Sequence, residues 1–132
     1  MIMSSIDERH KGRKKPVVRV EVPTITCLAA DSSHLEVTAT VNINMTIKTI
    51  VVRISTATDG SVSFTLQLRD DNAAIHVSVA SLADAAKTVL NSQKAAPDFD
   101  EVSVNGLITI GIDPDKDVGT NDVTVNIDLY GV

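Results

Sequence analysis

The stretch GIDPDKDVGTND at 111–122 gathers Asp113, Asp115, Asp117 and Asp122, with Lys116 as the sole balancing charge. Carboxylates at alternate positions offer hard oxygen ligands, and Asp113-x-Asp115-x-Asp117 matches the opening of a helix–loop–helix calcium loop. The match then stops. Gly119 falls one place late, Thr124 stands where a bidentate glutamate belongs, and strands are expected on both sides. Three readings follow. Asp113, Asp115 and Asp117 could hold calcium, the one cofactor the sequence offers. They could be a docking surface for basic side chains. The plainest is a solvated hairpin loop, shaped by Pro114 and Gly119 and closed by Ile112 and Val123.

Other constellations are thinner. His10, His34 and His76 are far apart, and no pair has zinc-ligand spacing. Cys27 is alone, so it can neither anchor a thiolate site nor close an intrachain disulfide, and burial in a strand is expected for it. There is no phosphate-cradling glycine loop and no nucleophile elbow. Asp70-Asp71 and Asp98-x-Asp100-Glu101 read as turn acids. A non-enzyme is expected.

Charge divides the chain. Residues 1–20 carry +4 and residues 21–132 carry −9, within a formal net charge of −5. Arg9, Lys11, Arg13, Lys14 and Lys15 concentrate in a basic N-terminal arm, residues 1–16, ahead of a single β-rich domain, 17–132. Such an arm suits contact with an acidic face of a neighbouring subunit or with nucleic-acid phosphates, or serves as a solubilising tail. The acidic body opposes duplex binding. Phe64, Phe99 and Tyr130 are the only aromatics, too few for a base-stacking platform. No apolar run approaches the roughly 18 residues of a membrane span, so no membrane partner is expected. The opening MIMSSIDERHKGRKKP lacks a signal-peptide core, and cytoplasmic synthesis is expected.

The elements that must position these groups are strands. Val, Ile and Thr number 18, 12 and 13, and β-branched residues fit a pleated, half-buried surface. VVRVEV (17–22) and TITCLAA (24–30) form two short strands parted by Pro23. From Leu35 to Ile47 the odd positions are apolar and the even ones polar, strict period-2 alternation. The phase flips after Lys48, where Ile50, Val52 and Ile54 are even, which predicts a bulge or bend at Lys48–Thr49. A three-residue turn Thr58-Asp59-Gly60, with Gly60 left-handed, would set Ile54 opposite Phe64, Val52 opposite Leu66 and Ile50 opposite Leu68. AAIHVSV (73–79) is read as a strand with Ile75 and Val77 inward.

Leu82, Ala85, Ala86, Val89 and Leu90 then follow helical spacing behind a capping-box-like Ser81…Asp84, predicting one helix over about 81–95. EVSVNGLITIGI reads as one strand with a bulge at Asn105-Gly106. It should pair with VTVNIDLYGV through Ile112–Val123, Ile110–Val125 and Ile108–Ile127. The expected fold is mainly β: an antiparallel β-sandwich or barrel of about 7–8 strands with one inserted α-helix and an extended N-terminal arm.

The polar side of the long strand, Thr38, Thr40, Asn42, Asn44 and Thr46, is small and uncharged, and suits either contact with another subunit or an ordinary solvated face. Arm, compact β body and inserted helix together resemble the layout of small bacteriophage structural proteins of the tail tube, head decoration or neck. The resemblance is of layout, without a motif. It implies a homo-oligomeric assembly subunit incorporated into a virion, with copies of itself and other assembly proteins as partners. A small binding module for calcium, carbohydrate or a protein ligand is the alternative. Nucleic-acid contact through the arm is a further one.

Overall fold

Alternation dictates the central element. In this computed structural model, which describes residues 16–29 and 35–132, β3 runs unbroken over Val37–Ile54. Its odd residues face inward as far as Ile47, and its even residues do so from Ile50. The change of phase occurs where predicted. The ladder to β8 (Val123–Gly131) passes from Ile47↔Gly131 to Thr49↔Tyr130 and skips Lys48. The skipped residue keeps its hydrogen bonds. Its carbonyl accepts from the Ser92 N–H at 3.0 Å and from Ser92 Oγ at 2.8 Å, and Lys48 Nζ pairs with Glu101 at 3.0 Å.

The bulge lets one strand serve two halves. Before it, β3 pairs with β7 (Val102–Pro114), β7 with β4 (Ser63–Asp70), and β4 with β5 (Ile75–Ala83). After it, β3 lies between β6 (Ala86–Asn91) and β8. The far side of β8 takes β1 (Val18–Glu21) and β2 (Ile25–Cys27), separated at Pro23 as expected. The eight strands of the described residues form one antiparallel sheet, curled into a half-barrel. Ile43, Met45, Phe64, Leu66, Leu68, Ile108, Ile110 and Ile112 from one half meet Ile50, Val52, Ile54, Val123, Val125, Ile127 and Leu129 from the other. The core is aliphatic apart from two phenylalanines, and the inward faces read from these strands are the buried ones.

Several expectations are corrected. No helix occurs among the described residues, and the 81–95 segment is not helical. It is the end of β5, a turn at Asp84-Ala85, then β6. Ser81 and Ala85 have φ of 63° and 51°, incompatible with a right-handed helix. Asp84 does not cap; its carboxylate accepts the Ala57 N–H at 2.8 Å. A stripe of two leucines, a valine and two alanines buries little as a helix. As strands, β6 instead satisfies the backbone of β3 over Thr49–Ile54 and buries Leu90, the end of β5 buries Leu82, and Val89 is left outside.

The two predicted hairpins are crossovers. β4 does not pair with β3, and β8 does not pair with β7. Their apolar faces are buried all the same, because a face can meet the core from either half. Gly60 is absent from the positive-φ residues, and the turn there is closed by Val62 N–H to Asp59 carbonyl at 3.3 Å. β7 is one strand without the predicted bulge. Its register against β3 is continuous through Asn44↔Asn105 and Ile43↔Gly106, and Gly106 absorbs a φ of 138° within it. Ile75 is exposed rather than inward, while Val77 is buried.

Candidate functional site

The acidic stretch is the crossover from β7 to β8, and it is fastened along its length. Ser63 N–H donates to Asp115 Oδ1 at 2.9 Å, and Asp115 N–H returns a bond to the Ser63 carbonyl at 2.9 Å. Lys116 Nζ reaches Ser61 Oγ at 3.0 Å. Asp117 Oδ1 accepts the Gly119 N–H at 2.9 Å, Thr120 N–H donates to Thr58 Oγ1 at 2.6 Å, and Asp122 Oδ1 accepts the Ala29 N–H at 2.8 Å. Gly119 sits at φ 110° against Thr58, where a Cβ would overlap the threonine hydroxyl. Asp115, Asp117 and Asp122 thus brace backbone, and Asp113 is exposed. Among the described residues, no three carboxylate, imidazole or thiolate groups come together to hold a metal.

Arg9, Lys11, Arg13, Lys14 and Lys15 lie outside the described residues, as do His10 and His34. His76 is exposed on β5, with Nε2 2.9 Å from Asp70 Oδ2. That bond, with the N–H groups of Ala74 and Asn72, holds the Asp70 carboxyl below its ordinary value. Asp98 is lowered in the same way, first by the Asn91 N–H and then by Lys94.

Cys27 is buried at the end of β2. Burial, and secondarily Asp113, push its thiol up to about 11. The thiolate is the nucleophile, so a rise of this size from 9.0 lowers the reactive fraction roughly 100-fold. A disulfide reagent at pH 8 should label native protein slower than unfolded protein by at least that factor. The neutral thiol is favoured by folding, so this contribution is intact below pH 9.0 and is lost as pH rises toward 11. Equal labelling rates in native and denatured protein would contradict the buried placement.

Sequence reasoning missed the one buried charge among the described residues. Asp128, on the outward side of β8, accepts Arg19 Nη2 on Oδ1 and Arg53 Nη1 on Oδ2, each at 3.0 Å. Arg19 and Asp128 are 109 positions apart, and only the flanking of β8 by β1 and β3 brings the two arginines together. The three residues line an open groove of about 500 Å³ with Pro23, Thr24 and Asn126. Each carboxylate oxygen is engaged, so the cluster is a clamp holding three strands in register.

One edge of β3 is left without a partner strand among the described residues. Thr46 and Val132 exchange both backbone bonds, at 2.8 and 3.1 Å. Thr46 therefore aims its N–H and C=O away from β7. In a regular antiparallel ladder the residues at i−2, i−4, i−6 and i−8 do the same. The β3–β7 register is regular over Val37–Ile47, so Asn44, Asn42, Thr40 and Thr38 present their backbone groups outward. All four are exposed, and no strand among the described residues pairs with that side.

Other edges are blunted. Pro23 divides β1 from β2. β5 meets β4 with two register shifts and has Ser81 at positive φ. β6 has only 6 residues, and the free end of β7 contains Gly106 at φ 138°. Such interruptions protect edges from pairing, and Val37–Met45 has none of them and no charged side chain.

No protein-family model matches the chain, and no curated protein matches it. Among solved structures, it is similar to a serine protease of Aeromonas sobria, with 10% identity and a TM-score of 0.46 over 95% of this chain and 29% of that one. It is likewise similar to the infectious bursal disease virus Gt strain structure, with 11% identity and a TM-score of 0.44 over 87% and 32%. A Podospora anserina GH26-CBM35 β-(1,4)-mannanase gives 17% identity and 0.45 over 90% and 28%. The chain thus spans less than a third of each of these proteins.

Proposed function

We propose that this protein is a non-enzymatic assembly subunit that forms a homo-oligomer, of the kind used as a small bacteriophage virion component in a tail tube, head decoration or neck. The supporting observation is the β3 edge: a long, regular, uncharged row of backbone groups that no strand among the described residues pairs with, on an otherwise protected sheet. The basic arm before an acidic body adds a second means of contact between copies, through Arg9, Lys11, Arg13, Lys14 and Lys15. Light scattering of the full chain across a hundredfold concentration range should give a mass above one chain, and electron microscopy should show rings, tubes or defined small oligomers. A monomer at every concentration overturns the reading.

A further inference from the structure

We propose that two copies of this chain pair edge to edge along Val37–Met45 of β3, antiparallel, about a twofold axis at Val41. The proposal rests on the assembly reading above and names its contact.

The register follows from which residues are free. Thr38, Thr40, Asn42 and Asn44 carry the outward N–H and C=O groups, and outward residues must meet outward residues. Centring the pair on Val41 sets Thr38 opposite Asn44 of the second copy and Thr40 opposite Asn42. Each free residue is then used once, giving four mutual pairs and about eight hydrogen bonds. Thr46 is left out, as it must be, because Val132 already occupies its edge. The copy's strand also ends in the right place. β3 begins at Val37, so the second chain leaves the ladder just before it would meet Val132.

Chemistry on both faces agrees. Outside, each threonine sits across from an asparagine, a neutral pairing of hydrogen-bonding side chains. Inside, half-buried Val37, Ala39 and Val41 gain cover from Met45, Ile43 and Val41 of the second copy. No charge lies between Val37 and Ile47 in a chain of net charge −5, so this is where two acidic bodies approach with least repulsion. Added salt should therefore tighten the pair.

Sedimentation velocity on the full chain, on Thr40→Pro and on Val41→Cys tests this. The Thr40 N–H points away from β7, so proline removes an intermolecular donor without removing one from the fold. Circular dichroism and thermal melting should stay near wild type while the dimer is lost. Val41→Cys should form an intermolecular disulfide under mild oxidation, because a non-hydrogen-bonded antiparallel pair holds Cα atoms about 4.5 Å apart. Ile75→Cys, exposed on β5, should not. An oligomer that survives Thr40→Pro and is not captured by Val41→Cys overturns this contact and leaves the assembly reading standing. A wild type that is monomeric throughout overturns both.

Discussion

Phe64→Ala should lower the free energy of unfolding by about 3–5 kcal/mol, the cost of emptying a large, fully enclosed core position. Phe64 is 0% exposed at the start of β4, within the sheet half that β7 and β5 complete. An aliphatic core has few long side chains able to swing into the space, which places the cost toward the upper end. Urea titration should show an earlier midpoint with an unchanged slope. Phe99, 7% exposed in the excursion between β6 and β7, should cost less when truncated. A Phe64→Ala loss below about 1 kcal/mol would contradict a packed core at that point.

Gly131→Val carries the second large effect, for a different reason. A Cβ at Gly131 would overlap the Thr46 carbonyl oxygen and press on Met45 Cε. The obstacle is backbone and cannot turn aside. The end of β8 must then leave β3, breaking the Ile47↔Gly131 register and the mutual Thr46–Val132 bonds. Overpacking and two lost ladder bonds together amount to about 2–4 kcal/mol. Hydrogen exchange adds a local reading, since the Thr46 and Val132 amides should lose protection before the rest of the sheet. Unchanged exchange at Thr46 would argue against the close crossing.

What the sequence made legible was local. The alternation read from Leu35 to Ile47 is found from Val37 onward, with Leu35 exposed ahead of β3; its phase flip at Lys48 and the inward sets Val123/Val125/Ile127/Leu129 and Ile108/Ile110/Ile112 likewise depend on neighbouring residues alone, and are found. Partner choice was not legible. Hairpin and crossover bury the same face, so Phe64, Leu66 and Leu68 reach the core whether β4 lies beside β3 or beside β7. The helical stripe at 82–90 failed because three of its residues are too small or too exposed to matter, while the unpaired edge of β3 demanded a strand. The same division holds for the candidate site. A charge-poor strand was readable from Thr38, Thr40, Asn42 and Asn44. That its edge has no partner strand among the described residues, and that Arg19 and Arg53 converge on Asp128, are facts of topology.

β3 is laid down early in the chain, yet β6, β7 and β8, the strands that pair along it, are all made later. On the ribosome it must wait as an 18-residue alternating ribbon while its partners are translated. Long-range pairings of this kind close slowly, over milliseconds to seconds, and expose apolar strand in the meantime. Overexpression should therefore tax folding more than thermodynamic stability, with the insoluble fraction falling when translation is slowed by cooling or when a strand-holding chaperone is supplied.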